Sequence, residues 1–576
     1  MYSLRLKNGR LIDVESGSVM DGDLFVQNGR IVASIATEDL DEDIDVGGAY
    51  VSPGFIDGHL HIESSMLTPL HFTHAAVQYG TTSLFVDPHE IANVLGRAGV
   101  ELFLEQADQV PLTMFVGIPS CVPATPLETS GGEITLNDIR ELLSHPRVFG
   151  LAEMMNFPGI IHGIGDAREK VALALSAGAV VDGHCPGVTG SDLSTYISNG
   201  ADDGVVRIGS DHECTTAEEA LEKSNLGMYI MLRHGSASKD LENILPGLCR
   251  QNADLSRFGL VCDDLSAADL RKHGHINHLI TIAAAIIERE TGCTAETATV
   301  QAITMATLNH ARYFRTGAGD LRPGAPADIA VFDSLDTIEP RVVLARGRIV
   351  VREGRPLTTP AHYDYSRFAH PVKCPPDLKD KLVVKAEGRT ARVRVIEMTP
   401  DSLVTKEAHA DLPVHEGVIT ADAEQGIHKV AVVERHRGTG NVAVGFVKGF
   451  DFRRGALAGT VAHDSHNLIL VGADDDSMAR AADAVRAAGG GLAVAPEKQD
   501  SQVLPLALAG LMSTQTVDET LAQHAKLDRA VQALGCKRDP FAAMSFLALP
   551  VIPALKLTDQ GLVDVNAFDF VPLQLD

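Results

Sequence analysis

Residues 51–320 alternate short apolar runs with helical stretches, and this alternation constrains the fold more than any other feature of the chain. The runs have the length and composition of buried strands. Strands that alternate with helices form parallel sheets, and eight such units over about 270 residues match a (β/α)₈ barrel in number and length. The predicted strands cover residues 51–61, 81–88, 112–120, 148–155, 179–186, 204–213, 228–235 and 258–264.

The segments on either side of the barrel are rich in short strands. Residues 1–50 contain two Asn-Gly pairs that are typical of hairpin turns, and a similar texture returns in residues 321–370. We predict that both segments build one small composite β-sheet domain beside the α/β barrel of residues 51–320; two independent hairpins are the alternative. Residues 371–576 begin with a proline-rich linker and are long enough for an additional C-terminal α/β domain.

The composition favours a cytoplasmic enzyme. The formal charge is −27, from 49 basic and 76 acidic residues, and such a surface repels nucleic acid and anionic membranes. Residues 1–17 lack the apolar core of a signal peptide, and no apolar run reaches the ~18 residues of a membrane helix. The eight cysteines form no CxxC pair, which favours reduced thiols over disulfides or a zinc finger.

Metal-binding residue types stand at the ends of five predicted strands. In a (β/α)₈ barrel these ends converge on the active site, and residues two apart on a strand point the same way, so His59 and His61 can hold one ion together. Four histidines and two carboxylates form the ligand set of a divalent metal site. A carboxylate can bridge two ions, and a bridging hydroxide is a nucleophile near neutral pH. The six residues are His59, His61, Glu153, His184, His212 and Asp263.

Longer strings carry a family resemblance. PGFIDGHLHIESS (53–65), followed by Glu, His, His and Asp on strands four, five, six and eight, resembles the amidohydrolase superfamily. The closer resemblance, nearly end to end, is to the bacterial adenine deaminase family. It implies hydrolysis of adenine to hypoxanthine and ammonia at a binuclear Mn(II) or Fe(II) centre, with Zn(II) a further candidate. The strings are VDPHEIANV (86–94), AEMMNFPG (152–159), DGHCPGVTG (182–190), SDHECTTAEEA (210–220) and HDSHN (463–467).

The resemblance also assigns roles. His59, His61 and Asp263 would hold the first ion, and His184 and His212 the second. Glu153 would bridge the ions, in place of the carbamylated lysine of many superfamily members.

In the implied reaction, a metal-bound hydroxide attacks C6 of the purine. Asp263 acts as general base and carries a proton to the leaving amine. Arg233 would stabilise the developing charge, and Asp264 would contact the substrate.

Three segments depart from the family pattern, and they leave the substrate open. Arg-His-Gly-Ser (233–236) stands where relatives commonly have Arg-Glu-Gly-Ser, Leu265-Ser266 replaces a basic pair, and Ile276-Asn277 replaces Ile-Asp. The alternative is therefore an amidohydrolase that acts on another aminopurine or on a cyclic amide or amidine. A non-catalytic metal-binding protein is the third function class.

Two further motifs have open interpretations. Asp87 and His89 either orient the metal ligands, which we favour because six ligands suffice for two ions, or bind a further ion. The loop 463–467 either reaches the barrel mouth or is buried within its own domain. We expect a small purine base as partner and a homo-oligomer, a dimer or larger.

Overall fold

The computed structural model describes residues 2–236, 238–400 and 402–575. The chain divides into two compact units. The barrel unit comprises Met1–Pro88, Val100–Ser120 and Thr135–His362, and the C-terminal unit comprises His89–Gly99, Cys121–Ile134 and Tyr363–Asp576. Among the described residues, no helix combines the length and the apolar composition that a membrane crossing requires.

Eight parallel strands form a ring in the barrel unit. Neighbours along the chain pair side by side, and strands five and six are joined where the Gly209 N–H donates to the Val181 carbonyl at 2.9 Å. Strand eight pairs with strand one, since Asp263 lies opposite Leu60, and this closes the ring. The predicted α/β fold class is confirmed. Strands one to eight are Phe55–His61, Thr81–Val86, Thr113–Ile118, Val148–Met154, Val180–Gly183, Ser210–Asp211, Tyr229–Arg233, and Phe258–Val261 with its continuation Asp263–Asp264.

Helices follow the strands, and their apolar faces pack on the ring. In Leu241–Arg250, for example, the buried residues recur every three or four positions, which places them on one helix face. The other helices between strands are Pro69–Ala76, Arg97–Ala107, Leu136–Leu142, Phe157–His162, Ala167–Ser176, Gly190–Ile197 and Ala217–Asn225. Those after strand eight are Ala267–His273, Ile276–Thr291, Ala295–Met305 and Leu308–Tyr313.

The observed strands are shorter than the predicted runs, and for strands one and six the backbone gives the reason. The apolar run of residues 51–61 is divided at Gly54, where a Cβ atom would lie 2.3 Å from Thr82 Oγ1; Tyr50–Pro53 instead pairs with Ile329–Phe332. Strand six covers only two residues of the predicted 204–213, because the preceding aspartates and glycine turn the chain before it enters the ring.

A second sheet in the barrel unit combines strands that precede the ring in the sequence with strands that follow it. Tyr50–Pro53 lies between Ser3–Asp13 and Ile329–Phe332 and links the two groups. The predicted domain boundaries stay a prediction. The strands are Ser3–Asp13, Ser18–Gln27, Arg30–Val32, Glu42–Asp45, Tyr50–Pro53, Ile329–Phe332, Val342–Ala345, Arg348–Arg352 and Arg355–Pro356.

The C-terminal unit contains a nine-stranded, mainly antiparallel sheet. The alanine-rich helix Asp475–Ala487 buries Met478, Ala481, Ala482 and Val485 against it. In sheet order the strands are Val418–Ile419, Thr405–His415, Thr390–Met398, Val442–Lys448, Ile427–Val433, Leu468–Gly472, Ala456–Gly459, Gly491–Ala495 and Gln502–Pro505. A three-stranded sheet comprises Leu555–Leu557, Leu562–Asp564 and Asp569–Phe570; the helices, besides Asp475–Ala487, are His89–Leu95, Leu378–Lys381, Val517–Leu534 and Pro540–Ser545.

Candidate active site

The six candidate ligands converge at the carboxyl end of the ring. Each lies within the last residues of its strand or immediately after it, as the fold requires of an active-site residue. Five of the six are buried, and the His184 side chain is 22% exposed. The structure thus brings together His59, His61, Glu153, His184, His212 and Asp263.

Glu153 occupies the middle of the group. Its Oε1 lies 3.6 Å from His61 Nε2, whereas its Oε2 lies 2.6 Å from His184 Nδ1 and 3.2 Å from His212 Nε2. Each oxygen therefore faces a different set of histidines. This is the arrangement in which one carboxylate can serve two neighbouring cations.

Asp263 lies on the other side of the strand-one histidines. Its Oδ1 is 3.2 Å from His61 Nε2 and 3.6 Å from His59 Nε2. His61 Nδ1 is held 3.0 Å from the Asp87 backbone carbonyl, so Nδ1 donates this hydrogen bond, and Nε2 is the atom that faces Asp263 and Glu153. The Asp87 carboxylate lies in one candidate cluster with His61 and Glu153, and its role, in orienting the ligands or in binding a further ion, stays a prediction.

The donor set fits a divalent metal ion. His59 Nε2 is buried and has no hydrogen-bond partner among the described residues, although it faces Asp263. A buried ring nitrogen without a partner is unfavourable unless a cation or proton satisfies it. Imidazole nitrogens and carboxylate oxygens suit Zn(II), Mn(II) and Fe(II) alike, so the ligands alone leave the metal open.

The charges of the site are strongly coupled. Burial alone would raise the pKa of Glu153, but the charges and hydrogen bonds of His184 and His212 hold it well below its usual range. Burial alone would lower the pKa of His212, but its hydrogen bond to Glu153 and the nearby carboxylates raise it to about 9. Glu153 is therefore ionised at neutral pH, as a metal ligand must be.

Comparison with known proteins decides the family. Residues 50–353 match the model of the amidohydrolase family, and residues 402–569 match the adenine deaminase C-terminal domain. Adenine deaminase 2 of Carboxydothermus hydrogenoformans is 43% identical over 99% of this chain and 97% of its own length. The chain belongs to the adenine deaminase family. The adenine deaminase of Desulfatibacillum aliphaticivorans is likewise 43% identical, over 99% of this chain and 97% of its own.

Among solved structures, the chain is similar to the β-aspartyl dipeptidase of Fervidobacterium islandicum. The identity is 15% and the TM-score 0.46, over 63% of this chain and 100% of the other. Membership of the amidohydrolase family implies a divalent metal centre, and the histidine and aspartate clusters of the ring are its candidate ligands.

Arg233 lies beside these clusters, among three carboxylates. Its Nε donates to Asp240 at 2.8 Å, and its Nη1 donates to Asp263 at 3.2 Å and to Glu213. Glu213 also lies 3.6 Å from His212 Nε2. Glu213 is not among the residues predicted from the sequence for this adenine deaminase family member; its position next to His212 at the strand end was the available signal.

Asp263 and Asp264 diverge, as neighbours on a strand do. Asp263 faces the histidines, whereas Asp264 accepts a hydrogen bond from the Ser64 hydroxyl in the segment after strand one. Asp263 has a φ of 60°, in the left-handed region. A residue other than glycine in this region is uncommon, and such residues are enriched at functional sites.

His89 and the loop 463–467 belong to the C-terminal unit. Within it, His463 Nδ1 lies 2.7 Å from Glu90 Oε1, and His466 Nε2 contacts the other Glu90 oxygen. The Ala462 N–H donates to His466 Nδ1 at 3.2 Å, so the proton of a neutral His466 is on Nε2 and points at Glu90. His89 Nε2 lies 3.4 Å from Glu90 Oε1.

The departures from the adenine deaminase pattern mostly make structural contacts. Asn277 accepts a hydrogen bond from the His275 N–H at 2.8 Å and donates to the Ile338 carbonyl at 2.9 Å. Leu265 is buried. His234 is also buried, and burial lowers its pKa to about 4, so this side chain is neutral at pH 7.

Proposed function

We propose that this protein hydrolyses adenine to hypoxanthine and ammonia. The observation that carries the proposal is the position of Glu153 between His61 on one side and His184 and His212 on the other, in a chain 43% identical to a named adenine deaminase over 99% of its length. Water replaces the exocyclic amine at C6, and the amine leaves as ammonia.

Two divalent ions fit the proposed ligands. His59, His61 and Asp263 would hold one ion, His184 and His212 the other, and Glu153 would contact both. When bound, the ions supply Lewis acidity that activates water and stabilises negative charge. Mn(II) or Fe(II) is the proposed metal, with Zn(II) as the further candidate. A role in purine salvage, a cytoplasmic location and a homo-oligomer are further proposals.

Asp263 is the proposed proton carrier. Burial alone would raise its pKa, but hydrogen bonding to His61 and the charge of Arg233 hold the pKa well below its usual range. The carboxylate is therefore ionised and able to accept a proton from the attacking water. It would then deliver this proton to the departing nitrogen.

Arg233 and Asp264 are the proposed substrate-side residues. Among the described residues, Nε and Nη1 of Arg233 are used by carboxylates, which leaves Nη2 to donate to negative charge on the substrate. Asp264 is half-buried and held by Ser64, so its carboxylate is positioned to accept a hydrogen bond from a purine N–H. Arg233 also fixes the direction of Asp263.

Ammonia release with Mn(II) supplied tests the proposal. The panel should contain adenine, other aminopurines, and cyclic amides and amidines. Release from adenine well above the others supports it. Release only from another member would favour the alternative amidohydrolase. No release from any member by metal-loaded protein would favour the non-catalytic class.

A further inference from the structure

Lys223 is a buried lysine outside the candidate ligands. It lies on the helix Ala217–Asn225, its side chain is 0% exposed, and its ammonium has three acceptors. Nζ donates to Asp211 Oδ2 at 2.9 Å, to Glu219 Oε1 at 2.7 Å and to the Cys185 carbonyl at 2.7 Å. An ammonium group has three N–H donors, so every donor is used.

The ion pair of Lys223 and Asp211 binds both backbone groups of one residue, the carbonyl and the N–H of Cys185. Lys223 binds the Cys185 carbonyl, while Asp211 Oδ1 accepts the Cys185 N–H at 2.8 Å. Cys185 directly follows His184, and Asp211 directly precedes His212. One buried pair therefore connects the backbone beside His184 to the backbone beside His212.

Glu219 extends the same connection. Its Oε1 accepts the Gly187 N–H at 2.9 Å, and its Oε2 accepts the Thr215 N–H at 3.2 Å. Both the loop after strand five and the loop after strand six are thus tied to the first turn of one helix. Side chains on a helix, with rotamers fixed by packing, position a site more precisely than loops do.

A contribution to the stability of the fold does not by itself explain a buried ion pair such as Lys223 and Asp211. Removing two charges from water is unfavourable, and apolar residues of similar volume often serve a fold equally well. The geometry instead connects the pair to a specific task, because His184 and His212 both face Glu153 Oε2, at 2.6 and 3.2 Å.

We propose that Lys223 is a positioning residue for the second metal ion: through Asp211 and the backbone of Cys185, it sets the separation of His184 and His212. This inference rests on the proposed metal-dependent function. Groups that orient metal ligands typically change metal affinity by about 10- to 100-fold when they are removed.

The test is a titration of metal-free full-length protein with Mn(II), followed by electron paramagnetic resonance, which separates a lone ion from a coupled pair. In Lys223→Met, the affinity for the second ion should fall by about 10- to 100-fold, with the first ion unchanged. High Mn(II) should restore the coupled signal.

Lys429→Met is the matched control. Lys429 is a buried lysine of the C-terminal unit whose Nζ donates to Asp475 at 2.5 Å and to the Leu382 carbonyl at 3.0 Å. This variant also loses a buried ion pair, but it should bind both ions with the affinities of the parent.

A second variant provides the test if Lys223→Met does not fold. The double change Lys223→Met with Asp211→Asn removes both fully buried charges and leaves only the half-buried Glu219 without its ammonium partner. It should show the same selective loss. Parental affinity for both ions in either variant would overturn the inference. An equal loss of affinity for both ions, or loss of the fold in both variants, would also overturn it. A parent that binds two ions but releases no ammonia from adenine would contradict the proposed function and leave this inference standing.

Discussion

Glu153 Oε2 and His184 Nδ1 lie 2.6 Å apart, which joins the ends of strands four and five. The other Glu153 oxygen faces His61, on strand one. Since Oε2 also lies 3.2 Å from His212 Nε2, at the end of strand six, one carboxylate connects four strands of the ring, and its charge is the feature on which a two-ion site depends.

Glu153→Gln should remove metal and activity together. The amide keeps the shape of the side chain but carries no negative charge, so the second ion should be lost and turnover should fall at least 10²-fold, while the fold persists. Elemental analysis, ammonia release and circular dichroism measure the three properties. A variant that retains two ions and near-normal turnover would show that another group bridges.

Glu128→Gln is the control for that change. Glu128 is a buried glutamate of the C-terminal unit, and burial together with the charge of Asp464 raises its pKa to about 8. It is largely protonated at neutral pH, so its amide variant should keep both ions and the parental rate.

Asp263→Asn and Asp264→Asn should differ sharply. Asp263 faces His61 and Arg233, and loss of a general base typically slows a reaction about 10²–10⁴-fold, to which the loss of a metal ligand adds. Asp264 is held by Ser64, so its variant should mainly raise KM and keep its metal. Steady-state kinetics and metal analysis compare them; an Asp264 variant that is inactive and metal-poor would reverse the two roles.

The ring and its candidate ligands could be predicted because they depend on local pattern. Apolar runs mark the strands, and a parallel barrel brings all strand ends to one face, so residues far apart in sequence, such as His59 and Asp263, are expected to meet. The period-two alternation of a strand likewise separates Asp263 from Asp264.

Other contacts depend on packing that no local pattern encodes. The pairing of Glu90 with His466 joins residues 376 positions apart, within the C-terminal unit. The three carboxylates around Arg233 come from separate segments, so their competition for one guanidinium is visible only in the fold.

The length of strand six was overpredicted. Val205 and Val206 are residue types typical of strands, yet both are exposed in a loop.

Protein expressed in Mn(II)-supplemented medium should contain about two divalent ions per chain. The reason for this number is that one Glu153 oxygen faces His61, whereas the other faces His184 and His212. Chelation should abolish ammonia release, and added Mn(II) should restore it. Elemental analysis before and after chelation provides the measurement; metal content near zero with activity insensitive to chelators would exclude a metal-dependent reaction.

Asp328 should make the stability of the protein depend on pH. It is buried, its Oδ1 accepts the Arg346 N–H at 2.7 Å, and burial raises its pKa to about 6. The folded state therefore binds this proton more tightly than the unfolded chain, whose aspartate pKa is about 3.9. The resulting stabilisation is complete below that value and is lost as the pH rises through about 6, a change of about 2–3 kcal/mol.

Asp328→Asn should remove this dependence, because the amide stays neutral and keeps its acceptor oxygen. The Tm difference between the variant and the parent should grow in favour of the variant from about pH 4 to pH 8. Asp333→Asn, at a side chain 74% exposed, should follow the pH profile of the parent. Thermal unfolding of metal-free protein across this range gives the comparison, and parallel Tm curves for Asp328→Asn and the parent would show that Asp328 is ionised in the folded protein throughout.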